Sequence, residues 1–157
     1  FSKVIELYPE YALAFFGRAY SYYHLEEYEL AIDDYTKSIE LDPDYPGTYN
    51  NRGLCYNAIE EYDLAIYDFK KAIELAPESP IAYNNIAFSY IQTGQLDLAL
   101  EAVNIALSIS PKGCYYDTRG DVYKEIGDTD LMCQDYRTAC EMGCPEGCEK
   151  QSELCGT

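Results

Sequence analysis

The sequence has a single histidine, His24, so a histidine-based catalytic triad has only one possible base. It contains neither G-x-G-x-x-G nor G-x-x-x-x-G-K-[ST], the glycine-rich runs that cradle nucleotide phosphates. No two cysteines stand as C-x-x-C, the spacing of common zinc and iron–sulfur sites. No apolar run approaches the roughly 20 residues that span a bilayer, and no signal peptide is visible. Basic residues are scarce: 11 Lys and Arg stand against 28 Asp and Glu, a net charge of −17. That deficit argues against nucleic acid, whose phosphates attract basic surfaces, and against an anionic membrane surface. These absences give no sign of a metal site, a cofactor site or an enzyme, and the charge favours a partner of neutral or basic character. Any basic partner should bind in a salt-dependent way.

What is present is repetition. Hydrophobic residues make up 48% of the 157 residues, enough for a packed domain despite the charge. Laying Pro46–Pro77 over Pro80–Pro111 pairs Tyr49 with Tyr83, Tyr56 with Tyr90, Ala65 with Ala99 and Ala72 with Ala106, at a constant offset of 34. The same step backward reaches Phe15, Tyr22, Ala31, Ser38 and Pro43; a step of 33 forward reaches Tyr116, Gly120, Tyr123 and Ala139. One more step back gives Phe1, Val4 and Pro9, the second half of a unit. The chain is therefore expected to be a piece of a longer protein. Each unit reads as two helices, with apolar residues at helical spacing in both halves. Polar breaks divide them at Glu26-Glu27, Glu60-Glu61, Thr93-Gly94 and Gly127-Asp128. Pro46 and Pro80 suit first helical turns, with Ser79 as a cap before Pro80. Small residues such as Ala19, Ala31, Gly53, Ala65, Ala87 and Ala99 mark close helix approaches. One hairpin cannot bury its own apolar face, so stacked neighbours supply the core.

The run Tyr49, Arg52-Gly53, Tyr56, Ala65-Ile66, Phe69, Ala72, Pro77 resembles the tetratricopeptide repeat, and the resemblance extends from residue 1 to about 143. It implies an all-α fold, a right-handed superhelical array of antiparallel helix-turn-helix hairpins closed by a C-terminal capping helix. The expected units are 1–11 (second half of a repeat), 12–45, 46–79, 80–112, a degenerate copy at 113–144, and the capping helix and tail at 145–157. In the degenerate copy Thr129 replaces an aromatic and Met132 a small residue, which predicts looser packing. Most of the 18 tyrosines fall at packing positions of the repeat. The carboxylates, Asp33, Asp34, Asp68, Glu74 and Glu101 among them, read as a solvated outer face.

The resemblance also places a binding groove on the first helix of each hairpin. The first repeat then offers Phe16, Tyr20, Tyr23 and His24; the second Asn50, Asn51, Leu54 and Asn57; the third Asn84, Asn85 and Phe88; the fourth Asp117 and Asp121. Asn50-Asn51 recurs as Asn84-Asn85. Asparagine is a mediocre helix former, and a carboxamide can donate to a peptide carbonyl while accepting from its N–H. The repeated pair therefore reads either as a ladder for an extended peptide backbone or as hydrogen bonding within the repeat. Family members that clamp a C-terminal carboxylate do so with basic residues. The matching positions here hold Phe16, Tyr20, Asn51, Ile81 and Asn85, which disfavours that mode.

Five of the seven cysteines fall in the last 25 residues. Cys133, Cys140 and Cys55 occupy positions that read as small apolar ones. A disulfide within Cys140, Cys148 and Cys155 is the alternative, and it would move the location from cytoplasmic to periplasmic or secreted. Three functions follow: a scaffold holding a neutral-to-basic peptide, a structural module self-associating through its N-terminal end, or a redox-sensitive regulatory appendage.

Overall fold

The computed structural model describes residues 1–156; Thr157, the end of the expected tail, lies outside them. All regular structure among the described residues is helical: α1 (Ser2–Leu7), α2 (Ala12–His24), α3 (Tyr28–Leu41), α4 (Pro46–Ala58), α5 (Tyr62–Leu75), α6 (Pro80–Gln92), α7 (Leu96–Ile109), α8 (Gly113–Ile126), α9 (Thr129–Glu141) and α10 (Pro145–Leu154). They form two compact units, one of α1–α5 within Phe1–Pro77 and one of α6–α10 from Glu78 onward.

Local sequence explains the helix limits. Pro46, Pro80 and Pro145 open α4, α6 and α10, where a missing N–H costs nothing. Each hairpin turns through one left-handed residue: Glu26 and Glu60 at φ 62°, Gly94 at 72° and Gly127 at 89°. Only two of the four are glycine, the residue that adopts this conformation freely. Ser79 stands at the N-cap of α6, but its side chain makes no capping hydrogen bond. A capping side chain is found instead at Asp128, whose Oδ1 accepts from the Leu131 N–H at 3.1 Å.

In the first unit α2 and α3 pack as one hairpin and α4 and α5 as the next. Ala19, Ala31, Tyr35 and Cys55 form a buried cluster where the hairpins meet. Phe69 lies over Gly53 so closely that a Cβ there would come within 2.7 Å of its ring. In the second unit Tyr136 lies over Gly120 in the same way, at 2.5 Å. Met132 is buried, as is Tyr136 one turn further along α9, so the methionine in place of a small residue is still enclosed. Tyr115 of α8 is buried as well.

The carboxylates show the largest departure from the sequence reading. Asp34 is 7% exposed, Asp68 0% and Asp135 3%. Each is gripped by an arginine 16 residues earlier on the first helix of its hairpin. Arg52 donates from Nε and Nη2 to the two oxygens of Asp68 at 2.7 and 2.8 Å. Arg18 holds Asp34 at 2.6 and 2.7 Å, and Arg119 holds Asp135 at 2.7 and 2.9 Å. A carboxylate can leave water only when a partner satisfies both oxygens, and the arginine fork does so. Burial pushes the Asp68 carboxyl up, and the Arg52 bonds oppose that shift. In the third repeat the equivalent positions are Ile86 and Ala102, both buried.

Candidate peptide-binding site

The first unit carries a cavity of about 220 Å³ lined by Tyr20, Tyr23, His24, Asn51 and Leu54. Its walls follow from helical spacing. Tyr20, Tyr23 and His24 share one face of α2 at i, i+3 and i+4, and Asn51 and Leu54 share one face of α4. The rings meet edge to face. Tyr20 and His24 have centroids 4.4 Å apart at 75°, and Tyr23 and His24 5.4 Å apart at 76°. Tyr23 in turn meets Tyr28 at 5.9 Å, which fixes its ring against the hairpin. Burial pushes the Tyr23 hydroxyl up, so it remains a neutral donor.

Asn51 sits between two groups. Its Oδ1 accepts from Asn50 Nδ2 at 3.3 Å. Its carboxamide also acts on the Tyr35 hydroxyl, although the two lack the geometry of a formed hydrogen bond. Tyr35 is fully buried, and burial holds its hydroxyl far above the ordinary tyrosine range. The cavity thus combines aromatic faces, one imidazole and one carboxamide in a mostly apolar recess. That arrangement suits a side chain inserted edgewise and a backbone group met by an amide.

Other sequence-predicted residues of this unit lie elsewhere. Phe16 packs edge-on against Tyr35 at 5.6 Å and Tyr45 at 5.5 Å, which makes it part of the core border rather than a free wall. Asn57 is half-buried and is not a wall of the cavity.

In the second unit Phe88 is exposed and Asn85 half-buried. Asn84 is half-buried, and its Oδ1 is buried without a hydrogen-bond partner. Asp117 and Asp121, read as the open acidic end of a groove, are engaged from within. Lys150 of α10 donates to Asp117 Oδ2 at 2.9 Å and to Asp121 Oδ1 and Oδ2 at 2.8 and 2.7 Å. The Tyr136 hydroxyl also donates to Asp121 Oδ1, at 2.8 Å. Burial pushes the Asp117 carboxyl up against the pull of Lys150. Burial draws the Lys150 ammonium down, but its bonds to Asp121 and Asp117 outweigh this and hold it up. No sequence pattern announced this contact, because Lys150 lies 29 residues from Asp121 and outside the repeat.

Two disulfides fasten α10: Cys133–Cys155 with Cα atoms 5.5 Å apart, and Cys140–Cys148 at 4.5 Å. The small-apolar reading of Cys133 and Cys140 is thereby corrected. Cys155 joins Cys133, a residue outside the expected group of three. Cys55 and Cys144 are buried thiols and Cys114 an exposed one. Among the described residues no group of side chains has a metal-binding arrangement, and no helix is long and apolar enough to cross a membrane.

Stacked two-helix hairpins with small residues under aromatic rings define a helical-repeat protein of the protein-interaction scaffold class. Models of the tetratricopeptide repeat match residues 12–45, 46–79, 69–101 and 115–142, and the chain belongs to that family. Among solved structures, MamA is 25% identical, with a TM-score of 0.82 over 97% of this chain and 86% of that one. TTC0263, a tetratricopeptide protein of Thermus thermophilus, is 16% identical, with a TM-score of 0.84 over 98% and 86%. The first tetratricopeptide domain of Spaghetti (RPAP3), solved with the HSP90 peptide SRMEEVD, is 23% identical, with a TM-score of 0.69 over 74% and 90%. No curated protein matches the chain.

Proposed function

We propose that this chain is a non-catalytic scaffold that holds an extended, neutral-to-basic peptide segment of a partner protein, read in the first unit by the Tyr20–Tyr23–His24–Asn51–Leu54 recess. The observation that carries this reading is the recess itself: five residues from two helices converge on one cavity. The net charge of −17 favours a basic or neutral segment and raises its association rate. The HSP90 peptide of the Spaghetti complex ends in acidic residues. An acidic tail of that kind is not the ligand expected here, since no Lys or Arg lines the recess. A pull-down from source-cell lysate at low and moderate salt, comparing wild type with Asn51→Ala/Asn85→Ala and with Tyr20→Ala, tests the reading. A partner lost by the variants while their helicity is unchanged supports it; equal retention by all three refutes it.

A second reading is favoured by the N-terminal end, where Phe1, Leu7, Tyr8, Tyr11 and Leu13 are all exposed. Apolar patches of this kind mark association surfaces, and self-association through this end is the alternative. Concentration-dependent sedimentation that is abolished by Tyr8→Glu with Leu13→Glu would favour it. The two disulfides support a periplasmic or secreted location over a cytoplasmic one. Thiol trapping directly from cells tests that assignment.

A further inference from the structure

The capping helix is held in place with little help from apolar packing. Its only buried residue is Gly147. That glycine lies so close to α9 that a Cβ there would fall 2.5 Å from the Ala139 Cβ. A 10-residue helix is marginal by itself, and one buried glycine offers almost no apolar area to dock it. Covalent and ionic links do the holding instead. The disulfides Cys133–Cys155 and Cys140–Cys148 tie it to α9. Lys150 ties it to Asp117 and Asp121 of α8 and lies 5.5 Å over the Tyr136 ring. Asp117 also keeps its Oδ1 buried without a hydrogen-bond partner, an acceptor that the present occupant leaves unused.

We propose that α10 is a redox-released internal ligand. With both disulfides formed, its lysine fills the Asp117–Asp121–Tyr136 seat. With both reduced, α10 opens reversibly, and a lysine-bearing helical segment of a partner competes with it for the same face. Each reduction takes two electrons and two protons from a dithiol reductant: one S–S bond breaks, two protein thiols form, and the reductant closes its own disulfide. The partner's chemistry is defined by the occupant already in place. A small residue must face Ala139, and an ammonium must follow three positions later, as Lys150 follows Gly147. The seat lies wholly in the second unit and does not depend on the recess of the first.

Two measurements test this on the whole chain. Hydrogen exchange over residues 145–154 is compared with and without a dithiol reductant. The proposal expects exchange faster by about tenfold or more on reduction, with α6 and α7 unchanged. Unaltered protection of α10 after full reduction overturns it. The second measurement titrates a fluorescent synthetic copy of residues 145–155, with serine at both cysteine positions, into the chain carrying Lys150→Ala, Cys148→Ser and Cys155→Ser. Saturable binding is expected there and none to oxidised wild type. A copy with alanine at the lysine position should bind more weakly by about tenfold or more, since the charge-assisted bonds to both Asp117 and Asp121 are lost. Equal binding to oxidised wild type, or indifference to the peptide's lysine, overturns the proposal.

Discussion

At the scale of single residues, the arginine–aspartate forks are the most consequential feature. Arg52 and Asp68 form the most enclosed pair, and Arg52 also donates to Thr36 at 2.9 Å. Removing one partner of a buried pair strands the other charge. Arg52→Ala should therefore cost about 3–5 kcal/mol in denaturant unfolding. The third repeat shows the alternative solution, Ile86 with Ala102. The double change Arg52→Ile with Asp68→Ala should bring stability back to within about 1 kcal/mol of wild type, because well-packed apolar replacements of buried pairs are often neutral or better. A double variant as unstable as the single one would contradict this. The turn residues carry a second prediction. Glu60 holds φ at 62°, where Gly94 stands in the next hairpin. Glu60→Gly should stabilise by roughly 0.5–1 kcal/mol, as relief of left-handed strain exceeds the added backbone entropy. Burial supplies a third. The Cys55 thiol is pushed up to about 12, so it should resist thiol reagents at pH 8 while exposed Cys114 reacts. Its folded value lies above the ordinary value of about 8.5. The unfolded thiol therefore ionises first, and its contribution to stability, complete at neutral pH, is lost as pH rises from about 8.5 toward 12. Cys55→Ala should flatten the stability–pH slope between about 8.5 and 9.5, below the tyrosine range.

At the scale of helices, the 34-residue period was legible because small and aromatic residues recur in fixed register: Phe69 over Gly53 and Tyr136 over Gly120 are the contacts that the spacing implies. The ion pairs were less legible. Arg18, Arg52 and Arg119 recur with Asp34, Asp68 and Asp135 at a spacing of 16. Charge alone reads as solvent exposure unless the partner across the hairpin is considered. The cysteines were legible in retrospect. Cys133 and Cys140 stand two turns apart on α9, and Cys148 on α10 stands seven residues before Cys155, which follows the end of that helix. An antiparallel pair of helices aligned at one of these bonds aligns the other automatically, so the matched spacing of seven signalled both. Lys150 had no such signal, since its seat is set by how α10 docks. Disulfide closure then predicts a local effect. Cys133→Ser with Cys155→Ser should lower the thermal midpoint of the second unit through the loss of roughly 3 kcal/mol of chain restraint, and differential scanning calorimetry would show it.

At the scale of the whole molecule, the chain is two units of stacked hairpins, and the first of them carries the aromatic recess. The fold came from periodicity, which is a property of backbone packing. Periodicity assigns a helix face but not which side chains turn inward. Phe16 packs half-buried at the core border, Asn84 buries its oxygen, and Asp117 and Asp121 take Lys150. Tyr20, Tyr23, His24, Asn51 and Leu54 line the cavity. With a net charge of −17, binding of a basic segment should weaken as ionic strength rises, most steeply at low salt and levelling off once the Debye length falls below about 10 Å.

The central claim is that the recess selects neutral-to-basic peptides, and the most direct measurement is selection from a random peptide display library. Wild type, Tyr20→Ala and Asn51→Ala would be run in parallel. The account predicts that wild type enriches sequences with Lys, Arg or uncharged residues and that both variants lose the enrichment while retaining helical circular dichroism. Enrichment of acidic sequences, or the same sequences recovered by all three proteins, would contradict it.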